Sequence, residues 1–209
     1  DLVAAECRAV RQRVGIMDLS SFAKFDVTGS GAEALLDRLT ANRLPKKPGG
    51  IGLTQVLSYN GRIAGEWTIT RLGPDRFYVL TGAGAEEQAR DGLAEAAGPD
   101  VTVTNVTDRF GMLVVAGPKS RETLQALTDA DLSNAAFRWL SAQEITLAGI
   151  PVRALRVTYV GELGWELHVP VEFAATLYDA LHFAGGPYGL ANAGYRAIES
   201  TRLEKGYRA

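Results

Sequence analysis

Three charged side chains sit where their type and spacing could support chemistry. Glu66 lies in NGRIAGEWTI, on the return strand of a hairpin and flanked by apolar residues. Such a carboxylate reads as partly buried, and burial raises a carboxylate's pKa toward the range useful for proton transfer. An outward-facing strand residue is the plainer reading, and residue physics alone favours it. Glu162 is bracketed by Gly161 and Gly164 in YVGELGWEL, on a short loop between two strands. With both oxygens free it can accept two parallel N–H bonds from an amidine-like edge. A solvent-exposed turn carboxylate fits that pattern equally well. Arg196 follows Ala193-Gly194-Tyr195 and opens the helical stretch AIESTRLEKG. Its planar fork suits carboxylates and aromatic faces, although a surface arginine paired with Glu199 or Ser200 is the simpler account. Glu199, Arg202, Glu204 and Lys205 read as charge pairs along the helix surface.

Several chemistries find no support. The glycines of TGSGAEALL lack dinucleotide or P-loop spacing, and no Lys-Ser/Thr pair closes them. His168 and His182 have no nucleophile-elbow context and are too scattered for a zinc site. The single cysteine, Cys7, forms no disulfide within the chain and fits a reducing compartment. The net charge of −2 gives no reason to expect a nucleic acid, and Lys46-Lys47 reads as a solvated loop. No apolar run approaches the roughly 20 residues of a membrane span, and the first residues lack a signal-peptide pattern. A cytoplasmic protein with no nucleic-acid or membrane partner is the expectation.

The elements that must carry these residues repeat. FAKFDVTGSGAEALLDRL from Phe22 aligns without gaps on FGMLVVAGPKSRETLQAL from Phe110, a shift of 88 residues. Phe25 meets Leu113, Val27 meets Val115, Gly29 meets Gly117, Leu36 meets Leu124 and Leu39 meets Leu127. Each copy reads as strand, glycine turn and helix. Ser30 and Glu33 are spaced as a capping box, with Ala32, Leu35, Leu36 and Leu39 on one face of the helix that follows. Pro118 is placed where a helix start tolerates it. Alternation predicts strands over 67–72, 77–81, 152–158 and 165–169, and helices over 85–97 and 171–183. Asn60-Gly61 marks a hairpin. Trp67, Trp139 and Trp165 read as core or rim residues. The fold class is α+β: two interleaved, internally duplicated units with mainly antiparallel sheets, divided at 1–104 and 105–209.

Taken together, VGIMDLSSFAKFDVTG, NGRIAGEWTI, RVTYVGELGWEL and GYRAIESTRLEKGYRA resemble segments of the aminomethyltransferase family, the glycine-cleavage T-proteins. The third matches a Tyr-x-Gly-Glu-x-Gly-aromatic-Glu motif. The closing Glu-Lys-Gly-Tyr-Arg-Ala is most similar to the folate domain of dimethylglycine and sarcosine dehydrogenases. The resemblance covers nearly the whole chain. It implies tetrahydrofolate as cofactor, in a central channel, with Glu162 on the pterin edge, Arg196 on the more distal anionic part and Tyr159 walling the site. It implies Glu66 as the catalytic carboxylate, in the place of the second of two T-protein aspartates, with Gly65 in the place of the first. That substitution turns the resemblance away from a pure glycine-cleavage enzyme.

The implied activity is transfer of a methylene or aminomethyl group from a glycine-, sarcosine- or dimethylglycine-type amine, giving 5,10-methylenetetrahydrofolate. The implied partners are a small-molecule amine or carrier-bound donor and a flavin dehydrogenase domain. Family members continue into a small C-terminal β-barrel, which this chain does not include. Two alternatives share the fold: a non-catalytic folate-binding module and a folate-dependent demethylase of a sulfonium substrate. The iron–sulfur-assembly relatives carry a cysteine in their Lys-Gly motif, where this chain has Lys205-Gly206-Tyr207.

Overall fold

The computed structural model describes residues 1–207. The chain forms α1 (Leu2–Gln12), β1 (Val14–Asp18), β2 (Ala23–Thr28), α2 (Ala32–Leu39), β3 (Ile51–Leu57), β4 (Ile63–Gly73) and β5 (Arg76–Thr81). It continues through α3 (Glu86–Ala96), β6 (Thr102–Asn105), β7 (Phe110–Ala116), α4 (Ser120–Gln125), β8 (Ala142–Leu147) and β9 (Ile150–Leu155). It ends with β10 (Gly164–Pro170), α5 (Ala174–Gly185), β11 (Leu190–Asn192) and α6 (Tyr195–Glu204).

Two compact units share the chain. The first takes Asp1–Ser20, Phe110–Trp139 and the residues from Gln143 onward; the second takes Ser21–Arg109 with Leu140–Ala142. The first twenty residues therefore leave the 1–104 half to which the sequence reading assigned them. The cause is β1, which pairs antiparallel with β7 and parallel with β11. The interleaving itself, and the α+β class, are as expected.

The first unit's sheet runs β11-β1-β7-β10-β9-β8 and the second's β3-β4-β5-β2-β6. Helices cover one face of each. Leu124 of α4 and Leu177 and Leu181 of α5 join Val115, Trp165, Leu167 and Val169 in the first core. Leu35 and Leu36 of α2 and Ala89 and Leu93 of α3 join Phe25, Val27, Trp67 and Ile69 in the second. Spacing of three or four along the helices and two along the strands aims these apolar side chains at one another.

The duplication is visible atom by atom. Gly29 and Gly117 both lie at positive φ, +117° and +134°. Each accepts a bond at its carbonyl from the residue three on, Ala32 and Ser120, both at 3.0 Å. A Cβ would fall 2.0 Å from the Asp100 carbonyl oxygen at Gly29 and 2.6 Å from that of Arg13 at Gly117. Only glycine combines that backbone with that approach.

The expected capping box does not form. Gly31 is the N-cap of α2 and no side chain caps it. Ser30 Oγ instead lies 3.4 Å from Asp100 Oδ2, and Glu33 is drawn 2.5 Å from Arg71 Nη2. The strand expected over 152–158 stops at Leu155, because Arg156 turns out to bond the Phe137 carbonyl and Asn134 Oδ1. The helix expected over 171–183 begins as a short 3-10 turn and becomes α5 from Ala174 to Gly185. Trp67 and Trp165 are core residues, whereas Trp139 is exposed.

Candidate functional site

In the first unit the site grows from the loop 156–163 and the strand it feeds. Gly161 turns at φ +70°, and the Thr158 hydroxyl donates to the Glu162 carbonyl at 2.8 Å. The Leu163 carbonyl accepts from Gly117 N at 2.8 Å and Ser120 Oγ at 3.0 Å. The duplicated glycine turn thus anchors the end of the loop. Gly164 must be small, since a Cβ there would lie 2.4 Å from the Val115 carbonyl oxygen.

The loop brings Tyr159 and Glu162 onto one segment. Tyr159 is 37% exposed; its ring stacks on Tyr207 at 6.1 Å and lies 5.8 Å from the Arg202 guanidinium. Glu162 is held by Arg11, 3.1 Å from Nη1, with Lys205 Nζ at 3.8 Å. Its Oε1 therefore already has cationic neighbours, and the carboxylate ties the loop to α1. Arg196 is exposed at the first turn of α6. Glu199, offered to it by the sequence reading, instead makes two bonds to Arg202 at 2.9 and 2.6 Å. Those bonds hold the Glu199 carboxyl below its usual range. Among the described residues no ion pair engages Arg196.

The group that sequence reasoning missed is Glu166, the closing glutamate of the Tyr-x-Gly-Glu-x-Gly-aromatic-Glu motif. It sits on β10 between Val114 of β7 and Leu155 of β9. Alternation sends Trp165, Leu167 and Val169 into the core and Glu166 and His168 to the opposite face. That side chain is only 14% exposed, and its Oε2 lies 3.8 Å from Nε2 of the fully buried His168. Oε2 accepts no hydrogen bond among the described residues. Burial pushes the Glu166 carboxyl up to about 8, the sort of perturbation that clusters at functional sites. Period two along WELHV was the available signal, but it cannot say that the opposite face is covered.

Glu66 belongs to the second unit. It lies on β4 opposite Gln55 of β3, whose side-chain amide donates to Oε1 at 3.4 Å, and its backbone carbonyl accepts from Thr81 Oγ1 at 3.0 Å. The side chain is exposed, as the favoured reading of an outward-facing strand residue had it, and is not partly buried. Its apolar neighbours, Trp67 and Ile69, point to the other face of the sheet. Among the described residues no cluster of His, Cys, Asp or Glu could hold a metal, and no helix is long and apolar enough to cross a membrane.

With the fold and the motif residues in place, the relationships of the chain are clear. Residues 1–209 match the GCVT N-terminal domain family, and the chain belongs to that family. It is 43% identical to mitochondrial dimethylglycine dehydrogenase of Mus musculus over 99% of this chain and 24% of that protein. It is 35% identical to mitochondrial sarcosine dehydrogenase of Homo sapiens, over 100% of this chain and 24% of that one. The chain thus spans about a quarter of the length of these curated relatives. Among solved structures, the glycine cleavage system aminomethyltransferase T from Bartonella henselae superposes with a TM-score of 0.86, at 24% identity over 99% of this chain and 55% of that one. That likeness shows the fold. Tetrahydrofolate is the cofactor of this family. The last two residues of the closing sequence motif, Arg208 and Ala209, lie outside the described residues.

Proposed function

We propose that this domain binds tetrahydrofolate through its first unit and takes part in transfer of a one-carbon unit from an amine of the glycine, sarcosine or dimethylglycine type. The observation that carries the reading is Glu166: a largely buried carboxyl whose Oε2 accepts no hydrogen bond among the described residues. A buried polar atom without a partner costs about 1–3 kcal/mol, and the paired N–H groups of a pterin edge are donors that would relieve it. The residues present therefore fit the cofactor. Glu166 takes the pterin edge, Tyr159 walls it, and Arg196 offers its exposed guanidinium to a more distal anionic group. Glu162, tethered to Arg11, supports the loop and keeps a second carboxylate at the motif.

When bound, tetrahydrofolate supplies the nitrogen that accepts the one-carbon unit. The protein's part is to orient the cofactor and manage a proton, and Glu66 is the carboxylate assigned that second task. The dehydrogenases to which the chain is similar are about four times its length, and a flavin dehydrogenase domain that delivers the amine-derived carbon belongs to the proposal. The reducing compartment read from Cys7 is met by the cytoplasm and equally by the interior of a mitochondrion, and the dehydrogenases of Mus musculus and Homo sapiens are mitochondrial.

The exposure of Glu66 and its single long hydrogen bond favour a second reading, a folate-binding module without catalysis of its own. Calorimetric titration of tetrahydrofolate into the wild type, Glu166→Gln and Glu162→Ala tests the binding proposal. Saturable binding weakened about 10- to 100-fold by Glu166→Gln supports it. Equal binding by wild type and Glu166→Gln removes Glu166 from the site.

A further inference from the structure

Arg11 lies in the last turn of α1, far in sequence from the 156–163 loop and from α6, and its guanidinium is largely spent within the protein. Nη1 donates to the Val160 carbonyl at 2.5 Å and to Glu162 Oε1 at 3.1 Å. Nη2 donates to the Thr201 carbonyl at 2.6 Å, and Nε to Glu204 Oε2 at 2.8 Å. A guanidinium has five N–H donors in a fixed planar fork. Two bonds grip the loop 156–163 and two grip α6. Arg11 is 18% exposed and Glu162 21%, so that ion pair is shielded more than a surface pair, whereas the pair to the half-exposed Glu204 adds little.

A second contact from the same helix acts at the other end of α6. Glu6 Oε2 accepts the Gly194 N–H at 3.0 Å, and Gly194 is the N-cap of α6. A carboxylate there meets an orphan helical N–H and the positive end of the helix dipole. α1 therefore fixes α6 at both ends and the 156–163 loop at its tip. Those two elements carry Arg196, Tyr159 and Glu162.

We infer that Arg11 is a positioning residue, one that sets the 156–163 loop against α6 and so holds Tyr159, Glu162 and Arg196 in register for the ligand. It touches no ligand itself. Lysine cannot replace it, because three donors on a flexible stem cannot span carbonyls and carboxylates on two elements at once. The affinity consequence rests on the folate reading; the loop consequence does not.

Hydrogen exchange and tetrahydrofolate titration on wild type, Arg11→Gln and Arg11→Lys test the inference. Both variants are expected to speed amide exchange in 156–163 and in the last turn of α6 while β7 and β10 keep wild-type protection. A residue with a merely structural role would raise exchange throughout the sheet. Affinity is expected to fall about 10- to 100-fold, as small misplacements of binding groups do. Wild-type exchange in the loop of Arg11→Gln overturns the clamp, and a loosened loop with wild-type affinity overturns its role at the site. Failure of the wild type to bind folate sinks the functional reading instead, while exchange still decides the clamp. Should Arg11→Gln not fold, Glu204→Ala removes only the Nε partner from a half-exposed position and is expected to loosen the same loop to a smaller degree. No change in 156–163 exchange in Glu204→Ala would overturn the coupling of loop to helix.

Discussion

β2–Gly29–α2 and β7–Gly117–α4 match position for position, yet the sheets around them treat their carboxylates differently. In the second unit, Glu66 stands on an exposed stretch of β4, near the hairpin and one strand from the edge of the sheet order. In the first, Glu166 stands on β10 with a paired strand on either side, largely withdrawn from water. A carboxylate in contact with water keeps its solvation whatever its neighbours in sequence. One enclosed by a sheet and its covering side chains loses solvation and needs a partner. The duplication thus supplies a common frame, and depth within each sheet sets what a glutamate can do.

The equivalence of the two glycine turns can be broken directly. Gly29→Ala and Gly117→Ala should each cost about 2–4 kcal/mol in urea unfolding, from a backbone that alanine resists combined with a backbone clash. Gly29→Ala should be the worse, because its Cβ would come closer to a carbonyl oxygen. A loss under about 1 kcal/mol at either position would show that the turns are not held alike.

The contrast between the carboxylates is sharpened by Glu66→Gln in the protein that carries this chain. Transfer should fall about 100-fold, with folate affinity changed less than about two-fold. Unchanged transfer would select the non-catalytic module.

Glu166 gives a pH test with a definite sign. Its folded-state carboxyl is pushed from 4.5 up to about 8, so the folded protein keeps a proton that the unfolded chain has released. The stabilisation it contributes is complete below about 4.5 and is lost as pH rises through about 8. Thermal unfolding should show wild type losing stability relative to Glu166→Gln across that window, by at most about 1.4 kcal/mol per pH unit. A flat difference would mean that Glu166 is better solvated than its surroundings imply. The smallest effect is expected from Ser30→Ala, under about 0.5 kcal/mol where a true N-cap would cost about 1.

Much of the frame was legible along the chain. Gly29 and Gly117 announce their turns because few other residues tolerate positive φ. Asn60-Gly61 does likewise, with Gly61 at φ +77°. The YVGELGWEL loop is marked by glycines whose spacing leaves little else for it to be. Ser30 and Glu33 misled, because the capping box competes with partners distant in sequence. Asp100 and Arg71 won that competition.

The sequence by itself determined the alternation of strands and helices, the two related halves, the glycine turns and the motif loop. All of these follow from local backbone sterics and side-chain periodicity. Tertiary structure alone decided that β1 joins the second half's sheet, that Glu162 belongs to Arg11 and that Glu166 is largely withdrawn from water. Each of these depends on which distant segment lies against a side chain. Burial and charge pairing arise there, and no local pattern along the chain encodes them.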